Sequence, residues 1–164
     1  MPLPVLSVNI PAELKKLLQW VCWRFVWRNT VWSKPLYNPA TGQLGDATDP
    51  STWVPFDIAF DAVLSGAYDG LGFALTTGDP YTAFDLDDCF DPRTRQFTNA
   101  QAERIVRTVN SYTELSPSGT GVRMLVRGAK TSKKSKKGGV EIYDHNRYVT
   151  LTGMLLKEIF HHAH

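Results

Sequence analysis

The run TAFDLDDCF, residues 82–90, sets two carboxylates two positions apart in an otherwise apolar stretch. In extended backbone successive side chains leave on opposite faces. Asp85 and Asp87 then share one face about 6.5 Å apart, and Phe84 and Leu86 take the other. Two acids side by side on an apolar strand repel each other, and a divalent cation with oxygen ligands is the usual relief. The run therefore reads as a sheet strand that presents a metal site, with Asp85 and Asp87 as its first ligands.

Working outward, the spacing predicts a strand over Leu71–Leu75, a turn at Thr77–Pro80 and the strand Tyr81–Leu86 itself. Upstream, Pro11 opens a short helix over Ile10–Leu18, and Gln19–Val26 reads as a strand rich in tryptophan, valine and phenylalanine. Trp32–Tyr37 is its expected hairpin partner, interrupted by Pro35. A structured loop rich in Asn, Gly, Asp and Pro leads to a helix over Ser51–Leu64, closed near Gly66. Downstream, Ala102, Ile105, Val106 and Val109 recur at helical spacing within Thr98–Asn110. Strands follow at Tyr112–Leu115, Val122–Arg127, Val140–Tyr143 and Tyr148–Thr152. This order is α+β, with mixed, largely antiparallel sheets and flanking helices.

Composition bounds what such a chain does. Its 164 residues, 43% hydrophobic and with five tryptophans, suffice for a single domain with a real core. No run reaches the 18 or more apolar residues of a membrane span, and MPLPVLSVNIP lacks an export signal, so a cytoplasmic protein with no membrane partner is expected. Cys22 and Cys89 have neither CxxC spacing nor neighbouring histidines and read as buried thiols. The net charge of +2 conceals an uneven distribution. Arg123, Arg127, Lys130, Lys133, Lys134, Lys136 and Lys137 fall in one acid-free stretch, and the other 11 basic residues face 16 acids. Such a local positive surface suits a polyphosphate, with a solvated lysine-rich loop as the plainer alternative.

Two further constellations carry chemistry. In SPSGTGVR, residues 116–123, serines, a proline and two glycines make a tight turn whose amides and hydroxyls suit phosphate oxygens. Without a GK[ST] ending or a following helix it is no P-loop, and an ordinary hairpin connection is the competing reading. Arg123, two residues after Gly121, is placed to close on a triphosphate. In VEIYDHNRYVTLTG, residues 140–153, Glu141 would complete a three-carboxylate site if its strand adjoins that of Asp85; otherwise it is an edge acid paired with a surface lysine. A calcium loop beginning at Asp85 is excluded, because Phe90 and Gln96 occupy the positions that require glycine and glutamate.

Taken together and in order, PAELKKLLQWVCWRF, SKPLYNPATG, ATDPSTW, YDGLGFALT, FDLDDC, SYTELSPSGTGVRMLVRG and VEIYDHNRYVTLTG resemble the N-terminal primase-polymerase domain of the archaeo-eukaryotic primase superfamily, in its phage and plasmid replication-protein form. The resemblance spans nearly the whole chain. It implies an RRM-like catalytic sheet with an N-terminal α/β module, residues 1–70 forming that module, 71–153 the metal and nucleotide core and 154–164 a tail. It also implies template-directed nucleotidyl transfer on single-stranded or primed DNA, with NTP or dNTP as substrate and two Mg²⁺ or Mn²⁺ ions held by Asp85, Asp87 and Glu141. Ser116, Ser118, Gly119 and Arg123 correspond to the motif that contacts the incoming triphosphate. Arg147 and Tyr148 border the nucleotide, and Lys34 matches a phosphate-binding position. Arg127, Lys130, Lys133, Lys134, Lys136 and Lys137 are candidates for holding nucleic acid.

Two departures accompany the resemblance. Where relatives carry histidine at the end of the second motif, this chain has Arg123, which binds phosphate bidentately but donates no proton near neutral pH. Relatives also continue into a helical bundle and a helicase, so a helicase domain or a helicase in trans is an expected partner, and His161, His162 and His164 read as an ordinary helix end. Two rivals remain. One is a two-metal nuclease, disfavoured by the triphosphate-type loop. The other is a primase-like module that binds single-stranded DNA without catalysis, which Arg123 favours and the three acids oppose.

Overall fold

The computed structural model describes residues 1–128 and 136–156. Helix α1 (Ala12–Lys15) precedes four short strands, β1 (Trp20–Trp23), β2 (Val26–Arg28), β3 (Val31–Ser33) and β4 (Leu36–Tyr37). Helix α2 (Phe56–Leu64) leads into β5 (Gly70–Leu75), β6 (Tyr81–Leu86), β7 (Phe90–Asp91) and β8 (Gln96–Phe97). After helix α3 (Ala100–Val109) come β9 (Tyr112–Leu115), β10 (Val122–Arg127), β11 (Lys136–Lys137), β12 (Val140–Tyr143) and β13 (Arg147–Leu151). The fold is α+β, as the element order predicts. A four-stranded sheet runs β13-β5-β1-β4, a five-stranded sheet runs β11-β12-β6-β10-β9, and β2–β3 and β7–β8 form separate hairpins. Every strand pair among the described residues is antiparallel. The four-stranded sheet draws β1 and β4 from residues 1–70, β5 from Gly70 onward and β13 from Arg147–Leu151.

Period-two alternation in β6 explains how the core divides. Leu86 and Phe84 point to an apolar cluster with Val122, Met124 and Leu115, covered by Ala102 and Val106 of α3. Ala83 and Tyr81 point the other way, to a larger cluster with Leu125, Tyr143, Phe73 and Trp20 that α1 and α2 cap through Leu14, Phe56 and Ala59. Asp85 lies on the same face as Ala83, beyond the end of that second core. The two sheets are joined along β13 and the segment after it, where Leu115 N–H donates to the Met154 carbonyl at 2.8 Å.

Several boundaries differ from those read in the sequence, and the causes are non-local. The N-terminal helix keeps only its central turn, because by Gln19 the chain has joined the sheet, its side-chain amide donating to the Ala74 carbonyl at 2.8 Å. The expected strand Gln19–Val26 divides at Arg24 and Phe25, where Phe25 N–H donates to Asp69 Oδ2 at 2.7 Å. Its partner divides opposite, at Lys34 and Pro35, as Pro35 foretold. The helix expected from Ser51 begins at Phe56, since Val54 pairs its backbone with Trp20 and Pro55 then opens the helix. Gly66 closes it with φ of 85°. Asn99 caps α3 by accepting from the Gln101 and Ala102 amides, and Asn110 ends it in the left-handed region. Cys22 and Cys89 are buried free thiols. Among the described residues no helix is long and apolar enough to cross a membrane.

Candidate active site

Strand register builds the site. Across the five-stranded sheet Glu141 on β12 stands opposite Asp85 on β6, Asp85 opposite Arg123 on β10, and Arg123 opposite Glu114 on β9. Cross-strand partners share a face, so three acids and one arginine form a single charged row. The neighbouring rows on this face, with Ala83, Leu125 and Tyr143, belong to the larger core, and the charges therefore sit at the core's edge.

Arg123 and Asp85 form an ion pair, both largely shielded from solvent, and Arg123 Nε donates to the Thr150 hydroxyl at 3.2 Å. Arg147, at the start of β13, binds Glu141 at 3.0 Å and lies 4.6 Å from the Tyr143 ring centre. Burial pushes the Asp85 carboxyl above the usual carboxylate range, Arg123 opposes this, and the charges of Asp87 and Glu141 push it further up. Burial lowers the Lys34 ammonium, as does the Arg123 charge, while Asp85 and Asp87 hold it up. The Tyr148 hydroxyl, pushed up to about 12 by burial, donates to the Lys34 carbonyl and fixes that loop to β13.

A cavity of about 220 Å³ opens beside this row. Lys34, Asp85, Arg123, Arg147 and Tyr148, all singled out in the sequence, line it together. Tyr143, Asn146 and Thr150 also line it and were missed. Thr150 was legible in principle, since it lies two residues after Tyr148 on the same strand face. Glu114 was also missed. It is completely buried and accepts hydrogen bonds from the Tyr112 hydroxyl (2.6 Å) and from the Thr152 and Gly153 amides (2.8 Å each).

Other candidates lie apart from the cavity. Asp87 is exposed just beyond β6, its amide bonded to the Gly139 carbonyl at 3.1 Å. In the turn before β10 the Ser116 hydroxyl accepts from the Gly121 amide at 3.0 Å and contacts Ser118 Oγ at 3.1 Å. Gly119 gives its amide to the Ser116 carbonyl and abuts Pro92, and with the Ser116, Thr120 and Gly121 amides also bonded inside it the turn spends four of its amides internally. Arg127, at the far end of β10, pairs with Glu13 and lies over Tyr81. Lys136 and Lys137 form β11, in register with Glu141 and Val140. Lys130, Lys133, Lys134 and the terminal histidines lie outside the described residues.

The acids offer oxygen donors only, and their mutual repulsion at Asp85 suits a hard divalent cation. Among the described residues, no three His, Cys, Asp or Glu side chains lie close enough together to hold a metal as they stand. Asp85 and Glu141 are turned to Arg123 and Arg147 instead. What the cavity presents is thus Arg123 and Arg147, each paired with an acid, beside Lys34.

Compared with curated proteins, the chain is 35% identical over 154 residues, 89% of its length, to a DNA primase-polymerase of Nitratiruptor phage NrS-1. It spans only 21% of that protein's length. No protein-family model matches the chain.

Proposed function

We propose that this chain, a relative of the DNA primase-polymerases, carries the nucleotidyl-transfer site of such a protein and extends a strand on a DNA template from nucleoside triphosphates. The observation that carries the reading is the convergence of Lys34, Asp85, Arg123, Arg147 and Tyr148, from distant parts of the sequence, on one cavity. Its 220 Å³ is smaller than the roughly 300–1,000 Å³ of pockets that enclose whole ligands, and its lining is strongly charged. It suits the triphosphate, with the nucleoside in the open groove beyond. Arg123 and Arg147 bind phosphate oxygens through planar guanidinium groups, and Lys34 adds a point charge. Tyr148, held by the Lys34 carbonyl, borders the sugar.

Asp85, Glu141 and Asp87 are the residues that would hold Mg²⁺ or Mn²⁺. Bound there, the ions would supply charge neutralisation to the triphosphate and a lowered pKa to the attacking hydroxyl. Arg123 and Arg147, now paired with Asp85 and Glu141, are the residues that would be left to bind phosphate oxygens. The engaged Arg123–Asp85 pair is also the observation that favours a second reading, a module that binds single-stranded DNA without catalysis.

Template-directed incorporation on single-stranded DNA, with and without primer and in Mg²⁺ or Mn²⁺, separates these readings. Wild type is expected to form product and the Asp85→Ala, Asp87→Ala double variant none, while both remain folded by circular dichroism, the variant melting lower because the shielded Arg123 has lost its partner. A folded wild-type chain that binds DNA but forms no product would overturn the catalytic reading.

A further inference from the structure

The β2–β3 hairpin belongs to neither sheet and contributes to neither core. Its two turn residues, Asn29 and Thr30, have φ of 51° and 63°, the pair of left-handed residues that a tight two-residue turn requires. Trp27 and Trp32 are direct cross-strand partners with ring centres 5.2 Å apart, yet 56% and 63% exposed. The pair zips the hairpin, and because nothing packs over it among the described residues its outer ring faces stand in water, open to a ligand.

The hairpin is also continuous with the cavity. Ring contacts run from Trp32 to Phe25 (6.1 Å) and from Phe25 to the buried Trp23 (5.1 Å), and the Lys34 ammonium lies 5.7 Å from the Trp23 ring. Lys34 itself follows β3 directly and lines the cavity. From Leu14 to Gly45 the chain has Lys15, Lys16, Arg24, Arg28 and Lys34 and not one acidic residue. Exposed aromatic faces on a basic stretch of chain that carries no acid of its own match the bases and phosphates of an unpaired strand; a duplex hides its base faces.

We propose that the β2–β3 hairpin is a stacking platform for single-stranded nucleic acid, with Trp27 and Trp32 taking base faces and Arg28 a flanking phosphate. Its place beside the site rests on the cavity being a nucleotide site. The binding itself does not, and it is measured without nucleotide or divalent ion, so failure of synthesis and failure of the platform are read separately. The probe is a fluorescein-labelled oligothymidylate of about ten nucleotides, followed by anisotropy. Trp27→Ala, Trp32→Ala is expected to weaken its binding roughly ten- to hundredfold and to leave a duplex of equal length unaffected. Trp27→Phe, Trp32→Phe, which keeps an aromatic face at each position, should stay within about threefold of wild type. Unchanged affinity in a folded alanine variant would overturn the proposal. Should that variant fail to fold, hydroxyl-radical footprinting of the unmutated chain decides. Protection of Trp27 and Trp32 by the oligonucleotide supports the platform, and equal labelling with and without it overturns it in favour of a protein-binding surface.

Discussion

Glu114 shows what the charged row demands of single residues. A carboxylate with no solvent contact is tolerated because three donors and the charge of the cross-strand Arg123 stabilise its ionised form. Burial still outweighs them, and the carboxyl is pushed up from 4.5 to about 7. Because the folded value exceeds the unfolded one, the folded chain holds this proton longer, and the linked stability is full below about pH 4.5 and is lost as pH rises to about 7. The loss is on the order of 3 kcal/mol. Glu114→Gln, which cannot titrate, is expected to flatten the dependence across that window. Denaturant midpoints of both proteins at about pH 5 and about pH 7.5 check this, and equal slopes would show that Glu114 ionises no later in the folded chain than in the unfolded one.

Among the elements, β5 and β13 show how a strand aims a side chain. A Cβ on Gly72 would lie 2.6 Å from Tyr148 Cδ2 and 2.9 Å from Val21 Cγ2, and the Tyr148 hydroxyl is anchored to the Lys34 carbonyl. The ring therefore occupies space that only glycine leaves. Gly72→Ala is expected to cost about 1–3 kcal/mol in a denaturant melt and to raise the KM for nucleotide more than it lowers kcat, because it displaces a wall of the cavity. A variant with unchanged stability and KM would mean that Tyr148 moves freely. Much of this level was legible in the sequence. Strands β6, β9, β10 and β12 announce themselves by alternation and flanking turn residues, and Asp85, Glu141 and Arg123 were visible on them. Their register was not, and neither was the pairing of each acid with an arginine, because both depend on strands brought together from far along the chain. Glu114 was hidden for the same reason. In the sequence it is one acid in a short strand, and only the return of Thr152 and Gly153 to its side shows why it is there.

For the molecule as a whole, charge is distributed against composition. The basic stretch from Arg123 to Lys137 and the acid-free stretch from Leu14 to Gly45 sit in a chain that is otherwise acidic, and one contains Arg123 and the other Lys34 of the same cavity. A strand bound along both would meet lysines in the first and aromatic faces in the second, two interactions with different responses to salt. Counterion release makes log affinity fall with log salt by about 0.7 for each phosphate contact to a single strand, whereas stacking contributes little to that slope. Replacing Lys133, Lys134, Lys136 and Lys137 with alanine is therefore expected to weaken oligothymidylate binding and to flatten the slope by up to about 3. The hairpin variant Trp27→Ala, Trp32→Ala should weaken binding with its slope nearly unchanged. Titrations of both variants at several salt concentrations check the division. If the lysine variant keeps the wild-type slope, that stretch serves only to solubilise the chain, and the salt-dependent part of oligothymidylate binding comes from Lys34, Arg123 and Arg147 at the cavity itself.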